Sequence, residues 1–202
     1  MYKIWLKLAS FILIFRGSKS RALYWNIRSH ELKNRYQLLQ DDYARLRLIL
    51  QNFKIQEVFD IGCGFGRLIP LWLEFKDIRI VCTDISSESM KLARGSYGDT
   101  KIEFLTVDIL ETTVLPSAQP NLAVCSKVFG ALNFEEAQFG IKKLMESYDY
   151  IYLCEKSAPL YAPNKGGLSW HLHDYERIFS SLGAVNISND PDYYLIKSNN
   201  FK

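Results

Sequence analysis

The chain reads as a single α/β domain: a doubly wound, mostly parallel seven-stranded sheet with helices on both faces, an antiparallel strand pair at its C-terminal end and extra helices at its N-terminus. Three observations predict this. After Phe53 short apolar runs alternate with helical stretches, the order that builds a parallel sheet covered on both sides. The first of those runs ends in three glycines spaced G-x-G-x-G, Gly62, Gly64 and Gly66, where the chain must turn sharply. The 202 residues, 48% hydrophobic and 23% charged, make an ordinary globular domain that buries roughly 70% of its unfolded surface.

Taken in order, the first element is an apolar run, Ile4 to Phe15, interrupted by Lys7. As a helix it would rise about 18 Å, against a hydrocarbon core of about 30 Å, so it cannot span a membrane. The basic stretch Arg16 to Arg21 also stands where a secretory signal would need small neutral residues. Residues 3–15 therefore predict an amphipathic helix that packs on the domain or roofs the active site, with peripheral membrane contact as the alternative. From Arg21 to Phe53, Leu38, Leu39, Tyr43, Leu46, Ile49 and Leu50 recur at three- and four-residue steps, which predicts two helices. Residues 1–53 are thus an N-terminal helical extension, serving as a lid or as a membrane or partner contact, and 54–202 the main domain.

Strands are expected at Glu57–Ile61, Ile78–Thr83, Ile102–Val107, Asn121–Ser126 and Asp149–Cys154, with helices at Arg67–Phe75, Glu88–Arg94 and Phe134–Ser147. Asp174–Leu182 reads as a last helix closed by Gly183. Val185–Ser188 and Tyr193–Lys197 then read as two strands separated by Asn189-Asp190-Pro191.

Charge and cysteine content narrow the function classes. Net charge is +3, yet residues 1–35 hold eight Lys and Arg residues against one acid, Glu31. Such a basic end suits a membrane, a nucleic acid or an acidic substrate. The four cysteines, Cys63, Cys82, Cys125 and Cys154, form no C-x-x-C pair and have no histidine at ligand spacing, so no metal site is expected. Each sits in or just after a strand-like run, as buried thiols do in a reducing, cytoplasmic protein.

The segment Val58 to Arg67 implies a nucleotide-like ligand, because glycines admit a ligand close to the backbone and an open parallel sheet binds ligands at the carboxyl ends of its strands. The dinucleotide fingerprint G-x-G-x-x-G would need glycine or alanine at Arg67. Instead Asp60 followed by Gly62, Gly64 and Gly66 resembles the first motif of the class I S-adenosylmethionine-dependent methyltransferases, with a Rossmann-like domain, over roughly Glu57 to Lys197. Two more acids end successive strands, Asp84 after Cys82-Thr83 and Asp108 after Thr106-Val107. The resemblance implies that S-adenosyl-L-methionine is the cofactor. It places the ribose hydroxyls on Asp84, the adenine amino group on Asp108, apolar neighbours such as Ile85 and Ile109 against the ring, and the methionine portion near Asp60, Gly62 and Ser126. Ser126-Lys127-Val128-Phe129 lacks the Asn/Asp-Pro-Pro-Tyr/Phe motif of enzymes that methylate base amino groups, and Lys127 stands where a metal-dependent type would carry an acid.

Methyl transfer mainly requires alignment and, for a hydroxyl acceptor, a base. His171 and His173 are the candidate catalytic residues, since histidine titrates in the right range; either could instead cap the following helix. Glu155, Lys156 and Tyr161 are weaker candidates. The resemblance implies a methyltransferase acting on a small-molecule, lipid-linked or glycan acceptor, with oxygen the expected acceptor atom and nucleic acid disfavoured as a partner. An RNA methyltransferase using the basic N-terminal region, or a non-catalytic S-adenosylmethionine-binding partner subunit, are the alternatives. No feature of the sequence specifies an oligomeric state.

Overall fold

The computed structural model describes residues 17–35, 40–155, 171–188 and 193–198. Two helices open it, α1 (Ser18–Arg35) and α2 (Gln40–Phe53). The amphipathic run at residues 3–15 and the loop candidates Lys156 and Tyr161 lie outside the described residues. The core of the fold is β1 (Glu57–Ile61), α3 (Ile69–Trp72), β2 (Arg79–Asp84), α4 (Ser87–Tyr97), β3 (Glu103–Thr106) and β4 (Asn121–Ser126), followed by α5 (Phe134–Ser147) and β5 (Tyr150–Cys154). The last elements are α6 (Tyr175–Leu182), β6 (Val185–Asn186) and β7 (Tyr194–Lys197).

The seven strands order as β3-β2-β1-β4-β5-β7-β6, so strand order reverses between β1 and β4. The first five strands are parallel and β7 runs antiparallel to both β5 and β6. Parallel strands buried on both faces read as continuous apolar runs, and β1 and β5 are buried at every position. One face of the sheet packs on Leu46, Ile49 and Leu50 of α2, Trp72 of α3 and Met90 and Ala93 of α4. The other packs on Ile141 and Leu144 of α5 and Ile178 and Phe179 of α6. The second helix of the N-terminal region therefore belongs to the sheet's own core.

Local chemistry sets the helix ends. Ser86 caps α4 by accepting from the Ser89 N–H, and Asn133 with Glu136 forms a reciprocal capping box at α5. Asp174 caps α6, and Gly183 closes it in the left-handed conformation at φ 64°. One expectation needs correcting. The helix predicted over Arg67–Phe75 is a single turn, Ile69–Trp72. Pro70 has no N–H to give to a longer ladder, and the backbone on either side closes in tight turns, Ile69 N–H to Gly66 O and Phe75 N–H to Trp72 O. All four cysteines are buried and free. No described helix is long and apolar enough to cross a membrane.

Candidate functional site

A cavity of about 160 Å3 opens at the carboxyl ends of β1, β2 and β4, where the strand order reverses. Asp60, Gly62, Gly64, Asp84, Ile85, Asp108, Ile109 and Ser126 are all in its wall. Three acids from three successive strands thus converge on one space, as the topology of an open α/β sheet requires.

Each acid is held differently. Asp60 is buried in β1 and accepts the Trp72 Nε1–H at 2.8 Å; burial raises its pKa to about 6. Asp84 Oδ2 accepts the Gly64 N–H at 2.9 Å and Oδ1 accepts the Ser86 N–H at 2.8 Å, so the carboxylate fixes the glycine loop to the end of β2. Burial raises it to about 6 as well, against the pull of those two donors. Asp108 Oδ1 accepts the Leu110 N–H at 2.9 Å, and Oδ2 receives Arg21 Nη2 of α1 at 2.7 Å.

The glycines have separate tasks. A Cβ at Gly62 would lie 2.5 Å from Val128 Cγ2, and φ there is 69°, so only glycine lets the loop after β4 come this close. At Gly64, with φ 59°, a Cβ would meet nothing within 4 Å; it would point into open space beside the Asp84 carboxylate. Gly66 is not in the cavity wall and makes the turn into α3, packed against Ile69 and Tyr97.

The wall also includes Arg21, Trp25, Arg67 and Lys127. Arg21 and Trp25 come from α1, which lies across the rim: Arg21 Nη1 also reaches Glu136 at 2.9 Å, and Asn26 Oδ1 accepts from Ser86 Oγ at 2.8 Å and from the Glu88 N–H at 3.2 Å. Arg67 Nη2 donates to Ser126 Oγ at 2.6 Å, while its Nη1 is 3.4 Å from buried Asp42 of α2. Lys127, at φ 65°, follows β4 directly. Only the basic richness of residues 1–35 hinted at Arg21, and it suggested an outward-facing charge.

The candidate bases stand apart from this wall. His173 is buried with Nε2 2.9 Å from the Phe129 carbonyl oxygen, and burial holds it below the usual imidazole range; as the neutral ring it donates there. His171 is exposed, its ring stacked on His173 and its N–H donating to Gly130 O at 2.6 Å. Glu155 accepts the N–H groups of Val128 and Phe129, and burial raises it to about 7. All three brace the loop after β4 from behind.

Known proteins agree with this geometry. A family model described as "Methyltransferase domain" matches residues 58–149. The malonyl-[acyl-carrier protein] O-methyltransferase of Acetivibrio thermocellus is 36% identical over 56 residues, 27% of this chain and 20% of that protein. The match thus spans a fifth of that relative's length. The fold is similar to magnesium protoporphyrin IX methyltransferase from Synechocystis PCC 6803 with bound S-adenosylmethionine, at TM-score 0.67 and 18% identity over 89% of this chain and 94% of that one. It is also similar to an N-methyltransferase from Bradyrhizobium japonicum in complex with S-adenosylhomocysteine, at TM-score 0.60 and 16% identity over 79% and 87%. With the acids at three strand ends, the glycine loop between the first two and this sheet order, residues 58–149 form a methyltransferase domain, and the chain has the Rossmann-like fold of the class I S-adenosylmethionine-dependent methyltransferases.

Proposed function

We propose that this chain transfers the methyl group of S-adenosylmethionine to an oxygen atom of a small-molecule acceptor. The observation that carries the reading is the convergence of Asp60, Asp84 and Asp108 on one cavity, with the Gly64 backbone open beside Asp84. The residues fit the cofactor. Asp84 keeps a second lone pair on each oxygen for the two ribose hydroxyls. Asp108 accepts the adenine amino group, Ile85 and Ile109 flank the ring, and Ser126 with Asp60 borders the methionine portion. The bound cofactor supplies an electrophilic methyl carbon on a sulfonium. The chain's own residues orient that carbon toward the β4 side of the cavity and exclude water with α1. A small-molecule acceptor is favoured over RNA because Arg21, within the basic N-terminal region, is turned inward onto Asp108 and Glu136 rather than outward toward phosphate. The relatives acting on magnesium protoporphyrin and on a malonyl group lend support of the same kind. Calorimetry tests the reading: S-adenosylhomocysteine is expected to bind at micromolar concentration and NAD not to bind, and the reverse order would overturn it.

A further inference from the structure

The wall of the cavity contains three cations, and two of them are already neutralised. Arg21 is paired with Asp108 and Glu136, and Arg67 with Asp42. Lys127 differs. Among the described residues its one polar side-chain contact is Nζ to the thiol of Cys154 at 3.7 Å, with no carboxylate inside ion-pair distance. Glu155 feels its charge, and that carboxylate is occupied by the backbone N–H groups of the loop. Lys127 is partly buried, so its charge is only partly solvated.

Its backbone is also held in an unusual conformation. Lys127 is one of two described non-glycine residues at positive φ, 65°, a region that costs a β-carbon-bearing residue about 1 kcal/mol or more. The surroundings enforce it: the Lys127 N–H donates to Cys154 O at 3.1 Å, and Glu155 takes the next two N–H groups. The braces given by His173 and His171 hold the same loop. Lys127 is therefore fixed in place by four residues that do not themselves line the cavity.

Position decides what it faces. Asp84 and Asp108 mark the β2–β3 side of the cavity as the adenosine side, and Lys127 reaches the β5 end on the other side. We propose that Lys127 binds the carboxylate of a carboxylic-acid acceptor, whose own oxygen is the nucleophile. One charge with no ion-pair partner among the described residues matches a monoanion, whereas a phosphate dianion calls for several converging donors. The carboxylate oxygen attacks the methyl carbon; the C–O bond forms as the C–S bond breaks, and that electron pair passes to sulfur. A methyl ester and a neutral thioether result, and no proton moves. This chemistry needs no base, in keeping with the placement of His171 and His173 outside the wall.

The inference rests on the proposal that the cavity takes S-adenosylmethionine, and the test separates the two. The full chain is saturated with S-adenosylhomocysteine and titrated with acetate, butyrate and benzoate, each paired with its neutral amide, while thermal stability is followed. At least one carboxylate is expected to stabilise the loaded protein and its amide not to. Lys127→Met should weaken that response at least tenfold with S-adenosylhomocysteine affinity unchanged, and Lys127→Arg, which keeps the charge, should retain it. Incubating the responsive acid with methyl-labelled S-adenosylmethionine should give a product that releases labelled methanol in mild alkali, as esters do and ethers or methylamines do not. Equal responses to acid and amide, no response to any carboxylate, an undiminished response in Lys127→Met, or alkali-stable label would each overturn the proposal. Failure of S-adenosylhomocysteine to bind at all would instead overturn the cofactor reading.

Discussion

Asp84→Asn is the substitution that interrogates the cofactor site most directly. Each oxygen of the native carboxylate accepts one backbone N–H, from Gly64 and from Ser86, and offers its other lone pair to the cavity. The carboxamide is the same shape but carries two donors on one side. One ribose hydroxyl would then lose its acceptor, and one backbone N–H would face another donor. A hydrogen bond to a charged acceptor contributes about 1.5–3 kcal/mol and a neutral one about 0.5–1.5. Losing one of the former and weakening the other amounts to about 2–4 kcal/mol, or roughly thirtyfold to a thousandfold in affinity. Titration adds a second signature. Because burial raises Asp84 to about 6, the folded protein binds more protons than the unfolded chain between the ordinary carboxylate range and pH 6. This group's contribution to stability is therefore largest in acid and falls as pH rises through that window. Hydroxyl donors favour the ionised form, so cofactor affinity moves the other way, weakening by up to about tenfold between pH 7 and pH 5. Calorimetric titration of S-adenosylhomocysteine from pH 5 to pH 8 measures both effects. A folded Asp84→Asn protein with native affinity at pH 7.5, or a native protein with pH-independent affinity, would refute the reasoning.

Three further outcomes are expected. Gly62→Ala combines a left-handed backbone with an overlap against Val128 and should cost about 2–4 kcal/mol; adding Val128→Ala should recover the overlap share alone, as a thermodynamic cycle would reveal. Arg21→Ala leaves buried Asp108 without its cation and should cost about 3 kcal/mol, seen as a melting temperature roughly 6–12 °C lower. His173→Ala should lower stability by about 2 kcal/mol with turnover falling only as the folded fraction does, while exposed His171→Ala should change melting by no more than about 1 °C and turnover by less than about threefold. A hundredfold loss of turnover in a stable His171→Ala protein would make that residue a general base after all.

How much of this was legible in the sequence depends on how far apart the interacting residues are along the chain. Strands β1, β2, β4 and β5 were readable because a parallel strand buried on both faces leaves a continuous apolar run, and the three acids because each stands at or just beyond the carboxyl end of its own strand. The one-turn α3 was missed because tight turns on either side of it, Gly66 to Ile69 and Trp72 to Phe75, cut short an apolar pattern that runs on to Phe75. The histidines drew notice for their intrinsic pKa, whereas their role follows from contacts with Phe129 and Gly130 some forty residues earlier. Lys127 looked like the mere absence of an acid. Its positive φ and its contact with Cys154 depend on the β4–β5 pairing, which no local pattern encodes.

Arg21 shows the same limit and carries one more step of the argument. Counted along the chain it is one of eight cations near the N-terminus, and a run of cations suggests an outward electrostatic face. In the fold its guanidinium reaches acids 87 and 115 residues away, so the charge that seemed available to a partner is spent inside the protein. This pairing does not compete with adenine. Asp108 gives one lone pair of Oδ2 to Arg21 and one of Oδ1 to the Leu110 N–H, and a carboxylate has about four acceptor sites. An adenine amino group can therefore join the cluster without displacing α1. Helix α1 and the cofactor then stabilise the same carboxylate from two sides, so each should favour the other's binding. On this logic Arg21→Ala weakens S-adenosylhomocysteine as well as the fold, and saturating S-adenosylhomocysteine should protect α1 from proteolysis in the native protein. Cleavage of α1 at the same rate with and without ligand would show that the helix and the cofactor are not coupled through Asp108.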